Sequence, residues 1–232
     1  PPRSTPKPSS AASDVYKRQG YDYDEAKRRD RPIQRAPSEA LKAINVEASD
    51  VTDVIITHLH YDHAGGLKDF PNAKFHLQET EMAYATGPCM CHETIKMPFT
   101  GEHVCEMVKN LYSGRVVFYN GIGSIKSGVT VHLVGGHSRG LQSVRVKTEN
   151  GYLCLASDAT HFYENFLMGK PFPIVVDLED MLNGFKLIKS LATSNDMVIP
   201  GHDPLVKNFF PKEGTSGFVW RLDKGPTSPV KI

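Results

Sequence analysis

Three histidines and an aspartate fall within six residues in the run Thr57-His58-Leu59-His60-Tyr61-Asp62-His63-Ala64-Gly65-Gly66. Neutral imidazole is a frequent metal ligand, and a carboxylate among histidines favours zinc, iron or manganese over calcium, which prefers oxygen. Histidine supplies 10 of 232 residues. Three of them at i, i+2 and i+5 around an aspartate are far denser than composition explains, which sets aside four polar residues in a solvated loop. The apolar Val54-Ile55-Ile56 just before the cluster reads as a buried strand. Its end is a rigid base for imidazoles, while the loop beyond is free to close around an ion.

One loop cannot supply a full ligand set, and three other strand ends offer a ligand among small residues. His137 stands in Gly135-Gly136-His137-Ser138-Arg139-Gly140, Asp158 in Ala156-Ser157-Asp158-Ala159, and His202 in Pro200-Gly201-His202-Asp203. Small residues let the backbone turn sharply beside a metal pocket. With the first loop they make five histidines and two aspartates, enough for two adjacent ions with one shared carboxylate. His76, His92, His103 and His132 lack the glycine-flanked setting and read as surface or strand histidines. Cys89-Met90-Cys91-His92 is a weak candidate for a soft-metal patch, because nothing nearby completes four ligands.

The elements that must position these residues alternate between helix and strand. A capping serine at Ser38 ahead of Leu41 and Ile44 predicts a short helix over Ser38 to Ile44. Val51 to Thr57 and Lys74 to Leu77 read as strands, with a short helix or turn at Gly65 to Phe70 between them. Glu79 to Ala85 and Gly101 to Tyr112 are helical, the second with Val104, Met107, Val108 and Leu111 as its apolar stripe. Val116 to Phe118, Val129 to Val134, Gln142 to Val146 and Tyr152 to Ala156 are strands, with Asn150-Gly151 as the hairpin turn before the last. Val176 to Ala192 is a helix with Leu178, Met181, Leu182, Phe185, Ile188 and Leu191 on one side, and Met197 to Ile199 is a final strand. Met82, Tyr84, Met90, Met97 and Phe99 could wall a substrate pocket or join the core.

Composition narrows the function class. The length suits one domain, and 40% hydrophobic residues fill a sizeable core. A formal charge of +1 leaves no electrostatic footprint for nucleic acid or a membrane surface, so a small-molecule substrate is expected. Apolar runs fall short of a bilayer span. The four cysteines are too few for a disulfide framework and read as free thiols, which a reducing cytoplasm accommodates. Residues 1–19, with their prolines and serines and no apolar periodicity, are expected to be disordered and non-native, leaving 20–232 as the domain.

In chain order, His58-Leu59-His60-Tyr61-Asp62-His63, Gly136-His137-Ser138, Ser157-Asp158 and Gly201-His202 resemble the metallo-β-lactamase-fold hydrolases. The phrases Thr57 to Gly66, Leu153 to Phe166 and Ile199 to Pro204 look most like the N-acyl homoserine lactonase branch, and the resemblance spans roughly Val51 to Leu205. It implies an αβ/βα sandwich, two mixed sheets face to face with helices outside. It also implies one ion on His58, His60 and His137, a second on Asp62, His63 and His202, and Asp158 bridging. The expected cofactor is two zinc ions, with iron, manganese or cobalt as alternatives. The expected reaction is opening of a lactone ring by a water made acidic between the ions, so no serine or cysteine nucleophile is required. Asp62 is implied as the proton shuttle to the leaving oxygen.

The chain departs from the lactonase pattern three residues after Asp158, where the resemblance implies a tyrosine facing the substrate carbonyl and His161 stands instead. Either His161 or Tyr163 is expected in that role, the alternative for His161 being a plain helix-start residue. β-Lactamase, glyoxalase II-type thioesterase and phosphodiesterase activities would use the same ligands, and a non-hydrolytic di-iron protein is the rival from another class. The resemblance also implies more residues ahead of the first metal motif than the 57 present. The first strands of the domain are therefore expected to be missing, with a sheet edge left unpaired.

Overall fold

The computed structural model describes residue 20 and residues 22–215 and 217–230. The segment 1–19, expected to be disordered, lies outside the described residues. Along the chain come α1 (Tyr23–Arg28), α2 (Pro37–Leu41), β1 (Asp53–Ile55), β2 (Lys74–Gln78), α3 (Glu79–Ala85), α4 (Glu93–Lys96), α5 (Gly101–Tyr112) and β3 (Val116–Tyr119). Then follow β4 (Ile122–Lys126), β5 (Val129–Leu133), β6 (Gln142–Thr148), β7 (Gly151–Ser157), α6 (Tyr163–Met168), α7 (Leu178–Leu191), β8 (Val198–Pro200) and α8 (Val206–Phe209).

The strands form two sheets, as the resemblance implied. β1, β2 and β3 run parallel in that order. Parallel neighbours cannot be joined by a hairpin, so residues 56–73, with the first metal motif, connect β1 to β2, and α3, α4 and α5 lie between β2 and β3. β4 to β7 form an antiparallel meander, and β8 adds to β7 in parallel after α6 and α7. One core gathers Leu59, Phe75, Leu77, Phe99 and Met107 about the first sheet. The other packs Leu155, Ile199, Tyr163, Phe166, Met181 and Ile188 about the second.

Two buried glutamines stitch the sheets together at the start of the metal motif. Gln142 Nε2 donates to the carbonyls of Ile56 and His76 at 2.9 and 3.0 Å, while Gln78 Nε2 donates to Gln142 Oε1 at 2.8 Å. The Gln142 amide reaches the Thr57 carbonyl at 2.9 Å, and Ser157 Oγ donates to Thr57 Oγ1 at 2.9 Å. Buried amide groups need such partners, and here they bring the end of β1 against the strands that carry His137 and Asp158.

Several expectations are corrected. Ser38 does not cap its helix: α2 starts at Pro37 after Ala36, and Ser38 Oγ donates to Asp69 Oδ2 at 2.8 Å. β1 is only three residues long, because the motif leaves the sheet immediately after Ile56. The β6–β7 hairpin turns at Glu149-Asn150, since Thr148 pairs with Gly151, whose φ of 106° serves the tight return. β4 escaped the sequence reading because Gly123 and two polar residues interrupt its apolar pattern. Met197 lies in a 3₁₀ turn, and β8 runs on to Pro200. On α7, Met181, Phe185, Ile188 and Leu191 are buried as expected, but Leu178 and Leu182 are exposed.

Candidate metal centre

The first loop is held on both sides. The His60 carbonyl accepts from the amides of His63 and Ala64 at 3.0 and 3.1 Å, which winds the chain into a tight turn and brings the two halves of the motif together. Tyr61 N–H donates to the Pro98 carbonyl at 2.8 Å, and the Tyr61 ring lies under the Arg29 guanidinium at 3.9 Å, with Arg31 Nη1 2.6 Å from its hydroxyl. His58 and His60 are buried side by side, their ring centroids 4.5 Å apart.

The other candidate ligands arrive from the second sheet. His137 follows Gly135 and Gly136, both at positive φ, and Gly136 lies so close to Met181 that a Cβ would overlap its backbone. His137 Nδ1 donates to the Ile174 carbonyl at 2.7 Å. That bond places the proton on Nδ1 and leaves the Nε2 lone pair facing the centre. Asp158 follows Ser157, a non-glycine residue at φ 49°, so strained backbone directs the carboxylate inward. Gly201 packs against Ser157 and Asp158 Oδ1, and the His202 amide donates to the His161 carbonyl at 3.0 Å.

Asp158 is the hub. Its Oδ2 lies 3.0 Å from His202 Nε2, 3.1 Å from His161 Nε2, 3.4 Å from His137 Nε2 and 3.9 Å from His58 Nε2, and its Oδ1 lies 3.3 Å from His63 Nε2. Asp62 Oδ2 approaches His63 at 3.8 Å and His202 at 3.9 Å. Among the described residues, four groups have ligand atoms within 4.8 Å of one another: His58, His60 and His137; His58, His63 and Asp158; Asp62, His63 and His202; and His137, Asp158 and His161. All seven expected ligands are thus brought together, and no such group includes Cys89, Cys91 or His92.

The electrostatics suit a cation. Burial and neighbouring imidazoles push His58 well below the usual histidine range, and burial takes His137 down to about 4, so both are neutral with free lone pairs near pH 7. Burial opposes charge on His63, yet Asp158 and Asp62 outweigh it and raise the group to about 9. Burial likewise opposes charge on Asp158, but His202, His63 and His161 hold it well below the carboxylate range. The Nε2 atoms of His58 and His137 are buried without a hydrogen-bond partner. Orphaned acceptors are costly, and a nitrogen-and-oxygen donor set of this kind fits zinc or another first-row divalent ion.

The two candidates for the substrate-facing position part company. His161 points into the cluster, its ring stacked on Phe172 at 3.7 Å and 16°. Tyr163 is fully buried in the second core, its ring 6.2 Å from Phe166 and 5.8 Å from Phe209, so the structure does not bring it to the substrate position. His76 in β2 and His132 in β5 are strand histidines, as expected, whereas His103 is a buried residue of α5; His76 bridges Asp53 Oδ1 and Tyr119 Oη at 2.9 Å each. Met82, Tyr84 and Phe99 join the first core, whereas Met97 is exposed. Sequence reasoning missed Glu81, a buried carboxylate beneath the first loop, because Glu79-Thr80-Glu81 reads as the acidic first turn of a solvated helix.

The model of the Metallo-beta-lactamase superfamily matches residues 20–202. N-acyl homoserine lactonase AiiA of Bacillus thuringiensis subsp. kurstaki is 31% identical over 165 residues, which cover 70% of this chain and 60% of that protein. N-acyl homoserine lactonase AttM of Rhizobium radiobacter is 28% identical over 172 residues, covering 71% and 62%. The chain therefore spans about 60% of the length of the curated relatives it matches. A crystal structure of an N-acyl homoserine lactone hydrolase, with the product N-hexanoyl-L-homoserine bound at its catalytic metal center, superposes with a TM-score of 0.62 at 27% identity, covering 75% of this chain and 64% of that one.

Proposed function

The chain belongs to the metallo-beta-lactamase superfamily, and from that membership we propose that it is a dinuclear metal-dependent hydrolase that opens the lactone ring of N-acyl homoserine lactones. The observation that supports the reading most strongly is the convergence of seven side chains, Asp158 among them, from four separate segments, with the Nε2 atoms of His58 and His137 buried and without a hydrogen-bond partner. The names of the relatives supply the lactone.

In this reading His58, His60 and His137 would hold one zinc ion and Asp62, His63 and His202 the other, with Asp158 as the ligand they would share. The chemistry supplied by divalent ions held there is polarisation of a carbonyl and acidification of a water. The chain's own part is to fix the geometry and move protons. The Ile174 carbonyl keeps the proton of His137 on Nδ1. Asp62, partly open to solvent, carries a proton to the leaving oxygen. His161, stacked on Phe172, presents an imidazole N–H to the developing oxyanion, the kind of preorganised donor that lowers an acyl-transfer barrier. The domain of this activity is taken as 20–232, and a small lactone or ester is its substrate.

The test uses the purified chain loaded with zinc and offered a homoserine lactone, a chromogenic cephalosporin and a glutathione thioester. Acid release from the lactone is the expected result. Turnover of only the second or third substrate replaces the lactonase reading with a β-lactamase or thioesterase, and stoichiometric iron with no hydrolysis replaces it with a di-iron protein.

A further inference from the structure

Beneath the centre lies a carboxylate that the hydrolytic reading does not use. Glu81, the third residue of α3, has no solvent exposure, and it faces neither lysine nor arginine among its hydrogen-bond partners. Its Oε1 accepts from the backbone N–H of Leu59 at 2.9 Å, and its Oε2 accepts from the backbone N–H of Gly140 at 2.8 Å. Ser138 Oγ lies 2.8 Å from Oε1 and 2.7 Å from Oε2 and donates its one proton to that pair. Gly140 packs so closely that a Cβ there would overlap the backbone of Glu81.

The placement of these donors carries the inference. Leu59 is the residue between His58 and His60, Ser138 is the residue after His137, and Gly140 closes the same loop. The two loops come from different sheets, and one carboxylate bonds both. A buried anion without a counter-charge is costly and persists only where donors saturate it. A neutral amide in its place would turn an NH₂ group toward one of three donors. We infer that Glu81 is a positioning residue whose carboxylate sets the mutual placement of His58, His60 and His137, and so determines how tightly that trio holds its ion. The inference rests on the proposed metal centre and names a determinant of it outside the ligands. Outer partners of this kind change metal affinity by about 10- to 100-fold when removed.

The experiment measures zinc by competition with a chromophoric chelator, alongside the thermal melt of the metal-free protein, for the wild type and for Glu81→Gln, Ser138→Ala and Asp53→Asn. Ser138→Ala removes one donor and leaves the carboxylate in place, so it remains informative if Glu81→Gln fails to fold. Asp53→Asn disturbs a different partly buried carboxylate, bonded to His76 and Lys126, away from the centre. The expected result is two zinc ions in the wild type, with the tighter binding constant weakened about 10- to 100-fold in Glu81→Gln and less in Ser138→Ala. Asp53→Asn lowers the melt and leaves zinc affinity unchanged. Folded Glu81→Gln and Ser138→Ala proteins that bind zinc like the wild type overturn the inference and leave the metal centre standing. A wild type that binds no zinc overturns the metal centre, and the inference with it.

Discussion

His161 Nε2 lies 3.1 Å from Asp158 Oδ2, although the two residues sit on opposite sides of a turn that leads from β7 into α6. The stacking on Phe172 fixes the plane of the imidazole, and the contact with Asp158 turns its Nε2 toward the centre. His161→Phe is expected to lower kcat on the lactone about 100-fold, the loss that follows removal of one aimed donor. His161→Tyr, which restores a hydroxyl donor, is expected to keep most of the rate. Steady-state kinetics decide, and a phenylalanine variant as fast as the wild type removes His161 from the reaction.

Ions that bind only the folded chain stabilise it by mass action. At a free zinc concentration 100 times the dissociation constant the gain is about 2.7 kcal/mol, which for a chain of this size raises the melting temperature by roughly 5–10 °C. Scanning calorimetry before and after EDTA treatment, and again after zinc is restored, is expected to show that shift reverse and return. Melts that coincide in all three states contradict a metal-holding site.

Gly136 and Gly114 both have positive φ, 81° and 71°, but only Gly136 has backbone of another element where a Cβ would stand, 2.6 Å from Met181 Cα. Gly136→Ala is expected to cost at least about 3 kcal/mol through strain and overlap, and Gly114→Ala only about 1 kcal/mol. Urea unfolding of the metal-free variants measures both, and equal losses would show that α7 yields to the new methyl group.

Glu25 gives the fold a dependence on pH that runs through none of the candidate metal ligands. Burial alone would raise its carboxyl, but hydrogen bonds from Arg28, Arg29 and Thr100 together lower it from 4.5 to about 2. A folded-state value below the unfolded one stabilises the fold fully above pH 4.5, and the contribution is lost as pH falls through about 2. Its size is of order 1–3 kcal/mol after allowance for the exposed Arg28 partner. Glu25→Gln is expected to flatten that part of the stability–pH curve. An unchanged acid limb in chemical denaturation would remove Glu25 as its cause.

The four cysteines are free thiols in the structure. Cys91 and Cys105 are exposed, Cys89 is half-buried, and burial pushes the Cys154 thiol up to about 12. Thiolate is the reactive form, so a maleimide is expected to label Cys91 and Cys105 quickly, Cys89 more slowly, and Cys154 only after unfolding. Mass spectrometry of the native labelled protein tests this, and native labelling of Cys154 would show that the second core opens.

The candidate metal ligands were legible in the chain because coordination chemistry restricts residue types so severely. Histidine and aspartate at strand ends among small residues have few other uses, and His58, His60, Asp62, His63, His137, Asp158 and His202 stand out on that ground alone. Helices with strong apolar periodicity, such as α5, were equally legible. What periodicity does not encode is the partner of a side chain distant in sequence. Whether His161 or Tyr163 faces the centre depends on the turn after Asp158 and on Phe172, which lies 11 positions beyond His161. Glu81 looks like any acidic residue in a helix's first turn until the fold lays Leu59, Ser138 and Gly140 against it. The sequence by itself determined which residues could hold a metal. Only the tertiary structure decided which groups orient them, because a hydrogen bond between separate segments exists only once packing has brought both ends together.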